Sequence, residues 1–280
     1  IVNRSNLTLT ETWVAKFFEV ELGYPFDDFI GCDVGRGLGY CYNGYDIDGN
    51  GKFNHYGVQP PAIGSLFLQG PYKDSDGQDN PKVTFIYDPV NDTTIKIEMC
   101  DESINGTNFG NGIIDDERFG MTRFVFFTGS GGNYNQSVPH YPQDYYNYLR
   151  GLWKDGTPMM YGGNAHLSSG AYGPACKFMF PGDSDPCDWG TFGLPPNGPR
   201  NWTEGSSGNV PYDRRFLQSS GPFTLEPGAV NYVTVAIPWA RATSGGPFAS
   251  VELLRVVSDK IQVLFDNCFK VVDGPTAPDI

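Results

Sequence analysis

A chain of 280 residues with 32 acidic and 19 basic side chains carries a formal charge of −13, which excludes nucleic acid and anionic membrane surfaces as natural partners and makes divalent cations the natural counter-charge. With 36 glycines, 22 prolines and 15% aromatic residues it is no helical bundle but a mostly β chain of short strands and long shaped loops, long enough for one substantial core. No apolar run approaches the roughly 20 residues of a bilayer-spanning helix, so no direct membrane insertion is expected, and the opening IVNRSNLTLT is not a signal peptide; a mature or excised piece is expected.

The first element is a long strand over 6–22, where apolar and polar positions alternate and the phase shifts, predicting a bulge near Phe17. Further strands are predicted over 65–68, 82–87, 94–99, 123–128, 223–225 and 231–238. The last, within VNYVTVAIPWA, is apolar on both faces for part of its length and reads as a central strand. Between them PQDYYNYLRGLW (142–153) opens with Pro and Asp in its first turn and predicts a short helix with Tyr145, Leu149 and Leu152 on one side. A second helix over 250–270 carries Leu253, Leu254, Val257, Ile261, Leu264, Phe265 and Cys268 along one stripe, with Ser250 as its expected N-cap. The expected architecture is a β-sandwich, jelly-roll-like, with long loops and a packed C-terminal α-helix. It forms one β-rich domain over 1–272, and the proline-bearing 273–280 reads as a linker toward a further domain.

Six cysteines fall as Cys32/Cys41, Cys176/Cys187 and the distant Cys100 and Cys268. The first two spacings close loops of a size that disulfides bridge once a turn brings the ends together, and the end of the second helix brings Cys268 toward buried structure, with Cys100 as candidate partner. An oxidising compartment fits an even count in a loop-rich chain; buried thiols are the alternative. Sequons at Asn3, Asn6, Asn91, Asn105, Asn135 and Asn201 fit exposed loops and follow from composition.

Candidate chemistry begins at DIDGNGKFN. Asp46, Asp48 and Asn50 alternate around a curled loop, Gly51 supplies the sharp turn, and the Lys52 carbonyl offers a further oxygen to a hard cation such as Ca²⁺. Position 12 of an EF-hand would be Gly57 in place of a glutamate, so that motif is excluded. KDSDGQDNP supplies Asp74, Asp76, Asp79 and Asn80; FGNGIIDDERFG supplies Asn111, Asp115, Asp116 and Glu117; YPFDDFIGCD adds Asp27, Asp28 and Asp33. Carboxylates clustered without adjacent lysine or arginine repel unless a cation or solvent intervenes. A structural calcium is therefore expected, against metal-free Asx-turns in which the same side chains bond local backbone.

Catalytic patterns are sparse. Ser130 sits in FTGSGGN without a nucleophile elbow, no H-E-x-x-H occurs, and three histidines with no nucleophile motif argue against a serine or cysteine hydrolase. A glycosidase carboxylate pair is set in space and so is open to any chain with this many acids. Tyr145, Tyr146, Tyr148, Trp153, Trp189 and Trp202 could stack on sugars, although core packing is the commoner fate of such rings. Asp213, Arg214 and Arg215 could form a buried or interfacial salt bridge or remain solvated.

The succession ELGYPFDDFIGCDVGRGLGYCYNGYD, GVQPPAIGSLFLQGPY, DYYNYLRGLWKDG, FMFPGDSDPCDWG, DRRFLQSSGPFTLEPGAVNYVTVAIPWARA and KIQVLFDNCFKVVDGPTAPDI resembles a module of large secreted or cell-surface proteins of Bacteroidota, of the kind exported by the type IX secretion system, over nearly the whole chain. The resemblance implies an extracellular or outer-surface location and neighbouring domains in a longer polypeptide, and it brings Asp27, Asp28 and Asp33 forward as calcium ligands; it implies no activity. The expectation is a non-catalytic structural or adhesive module stabilised by calcium and disulfides. Its partners would be other domains of the chain, like subunits in a surface assembly, or glycans. The alternatives are a carbohydrate-binding module using Trp189 and Trp202, and a glycoside hydrolase-like enzyme with a carboxylate pair.

Overall fold

Two antiparallel sheets stack face to face, and a helix covers the far side of one of them. The computed structural model describes residues 1–49, 54–81, 83–88, 93–98, 105–127, 134–185 and 187–270, with backbone alone for 83–88 and 93–98. Asn50, Lys52, Cys100, Ser130 and the 273–280 linker lie outside the described residues.

The strands are β1 (Leu9–Val20), β2 (Asp28–Asp33), β3 (Leu38–Asn43), β4 (Ile47–Asp48), β5 (Gly57–Val58), β6 (Ala62–Gln69), β7 (Val83–Asp88), β8 (Thr93–Glu98), β9 (Arg123–Phe126), β10 (Arg214–Leu225), β11 (Thr234–Ala236) and β12 (Trp239–Ala240); the helices are α1 (Pro142–Leu149) and α2 (Pro247–Asp266). One sheet runs β1-β10-β9. The other runs β11-β6-β3-β2, with β12 also paired to β6. Two hairpins, β4-β5 and β7-β8, stand apart. The mostly β sandwich with a packed C-terminal helix is therefore the observed fold.

Period-2 alternation assigns each face of the central strands. In β3, Gly39 and Cys41 face the other sheet, while Leu38, Tyr40 and Tyr42 face α2 and meet Val251 and Leu254. Likewise β6 sends Phe67 inward to the core holding Phe124 and Phe216, and Leu66 and Leu68 outward to the helix. Every residue of β2, the outer strand of this order, and of the central β3 is buried, which explains how segments containing glycine and aspartate persist as strands. A Cβ on Gly39 would lie 2.8 Å from the rings of both Phe124 and Phe216, so glycine at this position sets how closely the sheets approach.

Several expectations change. The bulges of β1 lie between Leu9 and Val14, with Glu11 at φ 49°, and not near Phe17. The 231–238 segment is split at Pro238 into β11 and β12 on the outside of β6, and Val235 and Ile237 are exposed, so it is an edge and not a centre. Helix α2 starts after Gly246; Ser250 is buried inside it and donates to the Pro60 carbonyl at 2.7 Å in place of capping. Leu253, Leu264 and Cys268, placed in the buried stripe by sequence, are exposed.

The expected disulfides are corrected as well. Ile30 pairs with Cys41 and Cys32 with Gly39, so the two thiols share a face on the diagonal. Diagonal neighbours stand roughly 7–8 Å apart, beyond the roughly 4.4–6.8 Å between Cα atoms that a disulfide spans, and both cysteines are free and buried. Cys176 is a free buried thiol, which removes its bridge to the partly exposed Cys187, and Cys268 is free and exposed past the end of α2.

Candidate functional site

Register builds a groove on the outer face of the β1-β10-β9 sheet. Phe17 lies opposite Leu217 and Glu19 opposite Arg215, all four on that face, whereas Phe18 and Phe216 stack at 5.2 Å on the face turned to the core. Phe127 continues the outer wall, its ring 6.1 Å from Phe17 with an interplanar angle of 25°. Helix α1 forms the other bank. Pro142 opens it, and Asp144 accepts the N–H groups of His140 (3.0 Å) and Tyr141 (3.1 Å), bonds that hold the carboxyl below its ordinary range. Tyr148 anchors the helix by packing on Phe127 and donating to the Ser137 carbonyl at 2.6 Å, leaving Tyr145 exposed at the rim.

The groove has a volume of about 740 Å³ and is bounded further by Phe126, Val138, Pro139, Tyr212, Asp213 and Arg214. Phe17, Tyr145 and Tyr212 are 53%, 51% and 56% exposed, so their rings are open to a ligand. Its charges are tied together. Arg215 donates from Nε to Glu19 at 2.8 Å and lies 3.0 Å from Asp213, contacts that raise the guanidinium pKa, the Glu19 hydrogen bond foremost. Arg214 turns inward to the fully buried Glu204 at 2.6 Å, and Glu204 also takes the Ile30 N–H at 2.8 Å. Burial pushes the Glu204 carboxyl up to about 7 against the opposing pull of Arg214. Of the two outcomes open to the DRR triplet, the salt-bridged one is observed.

Most of the aspartates singled out for calcium accept backbone N–H groups. Asp48 accepts Tyr24 N–H at 2.7 Å and Tyr56 N–H, Asp27 accepts Gly49 N–H at 2.9 Å, and Asp28 accepts Leu22 N–H at 3.3 Å; Asp46 is exposed. Asp33 lies 3.0 Å from both Arg36 and Arg255, two guanidiniums that offset its charge. Asp74 accepts from Thr224, and Asp76 from Lys73 and Asn80. The loops around 74–80 and 108–117 interlock, Asp79 binding the N–H groups of Gly110 (2.8 Å) and Gly112 (2.7 Å), and Asp115 those of Asp76 (2.8 Å) and Gly77 (2.9 Å). Asp116 takes the Asn108 and Asn111 amides at 3.1 Å.

Among the described residues, the Oδ1 atoms of Asp27, Asp28, Asn43, Asn80 and Asp116 are buried without a hydrogen-bond partner. Among the described residues no group of three or more His, Cys, Asp or Glu side chains gathers to hold a metal ion. Burial raises Asp27, and raises Asp28 to about 8, with Asp27 and Asp48 adding repulsion to the Asp28 shift.

Of the aromatic residues proposed for sugars, Tyr148, Trp153, Trp189 and Trp202 are core residues, and Tyr145 alone of those named borders the groove. Sequence reasoning missed Phe17, Glu19, Phe126, Phe127 and Tyr212, which come from separate segments; the available signal was the matched alternation of Phe17/Glu19 with Arg215/Leu217. One further constellation falls to geometry. His166 Nδ1 lies 2.7 Å from Ser168 Oγ and Nε2 3.6 Å from Asp155, but Nδ1 also accepts the Ser168 N–H at 3.1 Å as the cap of a short turn, so its lone pair serves the backbone. No protein-family model, curated protein or solved structure matches the chain.

Proposed function

We propose that this chain is a non-catalytic, adhesive binding module of a secreted, surface-associated protein, and that the groove between α1 and the β1-β10-β9 sheet holds its target. The observation that carries the reading is the groove's construction: a pre-formed aromatic trough in the size range of small-molecule sites, about 300–1,000 Å³, whose two carboxylates, Glu19 and Asp213, share one guanidinium. Groups fixed in this way orient a ligand, whereas a general acid or base has to exchange its proton freely with substrate. The acidic surface and the resemblance to secreted surface modules support an extracellular setting.

Beads coated with the protein are expected to adhere to extracellular polymer, and beads coated with the Phe17→Ala variant to adhere poorly. Soluble products released from that polymer by the wild type would contradict the non-catalytic assignment.

A further inference from the structure

We propose that the groove takes a neutral oligosaccharide, an inference that rests on the adhesive reading and narrows its ligand to one class. Charge sets the first limit. Two carboxylates (Glu19, Asp213) share the Arg215 guanidinium while Arg214 is turned away to Glu204, so the groove offers no net positive charge on a chain whose net charge is −13. An anion gains nothing there and meets the repulsion of the whole molecule; a cation finds both carboxylates already engaged.

Shape and polarity set the second limit. Phe17 presents an exposed aromatic ring backed by the buried Phe127, and the exposed rings of Tyr145, on α1, and Tyr212, just before β10, also border the groove. A purely apolar chain would fill the trough but leave the Glu19–Arg215–Asp213 row without hydrogen-bond partners along its free edges. A sugar ring answers both surfaces: its C–H face packs on the aromatic wall, and its hydroxyls, donor and acceptor at once, bond to carboxylate and guanidinium edges already held in place by one another. Pre-organisation lowers the ordering penalty on binding, which suits weak, repeated contacts along a polymer.

The test is titration calorimetry of the whole protein with neutral cello-, xylo-, manno- and chito-oligosaccharides, an oligogalacturonate as the anionic arm, and 1-octanol as the uncharged apolar arm. Binding of at least one neutral sugar is expected, weakened about tenfold or more by Phe17→Ala and by Tyr145→Ala and retained by Phe17→Trp, with melting curves confirming that each variant folds. Both substituted side chains are exposed, so their truncation leaves the core intact. Failure of every neutral sugar, or binding indifferent to both alanine changes, overturns the proposal. Octanol binding without sugar binding overturns the sugar class while leaving the adhesive groove. Sugar binding accompanied by release of reducing ends keeps the ligand class and overturns the non-catalytic reading.

Discussion

Asp28 on β2 stands directly opposite Asn43 on β3; the Oδ1 atoms of both are buried without a geometric hydrogen-bond partner, and the neighbouring Cys41 thiol interacts with the Asp28 carboxyl. A proton on Asp28 spares this buried carboxyl an uncompensated charge, and burial drives its pKa up to about 8 in that direction. The folded chain then holds a proton that the unfolded chain, with an ordinary carboxyl near 3.8, has released. Stability from this group is present below pH 3.8 and is lost as pH rises to about 8, where the native carboxyl also ionises. The stability of the wild type minus that of Asp28→Asn should therefore fall steadily across that window and level off above it, as read from melting temperatures over a pH series. A constant offset between the two would mean that Asp28 is ionised in the fold.

Lys16 points from β1 into the space between the sheets, where its Nζ is sealed from solvent, has no hydrogen-bond partner and sits 3.8 Å above the Phe67 ring. An inward charge protects an edge strand from pairing with another chain, at a penalty to stability. Burial holds its pKa well below 10.5, so the unfolded chain binds a proton that the native chain releases, and wild-type stability rises with pH toward 10.5. Lys16→Met should stabilise the fold by about 1–3 kcal/mol near neutrality, with the gain shrinking at alkaline pH. Chemical denaturation at two pH values measures both effects, and a destabilised Lys16→Met would show that the contact with Phe67 outweighs desolvation.

The sandwich and its covering helix were legible because alternation in 6–22 and the stripe of 250–270 follow directly from burying one face. β2 and β3 were not. DFIGCD and LGYCYN carry the aspartates and glycines that usually mark loops, and they are strands because neighbours seal both faces: Gly39 admits Phe124 and Phe216, while Arg36 and Arg255 neutralise Asp33. The same neighbours explain why the acid runs misled. Lysine and arginine are scarce beside them in sequence, but Arg255 arrives from α2 and Arg214 from β10. The groove was hidden for a related reason, since Phe17, Tyr145 and Tyr212 converge only after β1 pairs with β10 and α1 crosses the sheet.

Asp33 is almost fully buried between Arg36 and Arg255, and Arg255 is itself on the buried side of α2. Removing the shared anion leaves a buried guanidinium held only by the exposed Asp183 and Glu252. Asp33→Asn should destabilise the protein by about 3 kcal/mol, measured by urea unfolding. Arg36→Met should cost far less, because that side chain is partly solvated; equal losses would refute the burial argument.

Asp79 joins the two interlocked loops through the Gly110 and Gly112 amides. Loss of such backbone bonds resembles loss of a helix cap, so Asp79→Ala should lower stability by about 1–2 kcal/mol. Because its partners are peptide N–H groups, the loss should be the same in calcium as in chelator. A difference that disappears once calcium is chelated would make Asp79 a metal ligand instead.

Gly39 is the most sequence-specific contact between the sheets. A methyl group there would sit 2.8 Å from ring atoms of both Phe124 and Phe216, which belong to adjacent strands of the opposing sheet and pack on each other at 4.9 Å. Neither ring can retreat freely: Phe216 is backed by Phe18 at 5.2 Å, and both rings are fully buried. Gly39→Ala must push the sheets apart locally and is expected to cost about 1–3 kcal/mol, the usual range for an overpacked core. The expectation has a second part, because Phe216 lies beside Arg215 and Leu217, and displacement of β10 carries the groove floor with it. Sugar affinity in Gly39→Ala should drop even where the protein remains folded, whereas Gly77→Ala, at a surface turn where a Cβ meets nothing within 4 Å, should leave affinity unchanged. Equal affinities for the two variants would show that the groove does not depend on the spacing of the sheets beneath it.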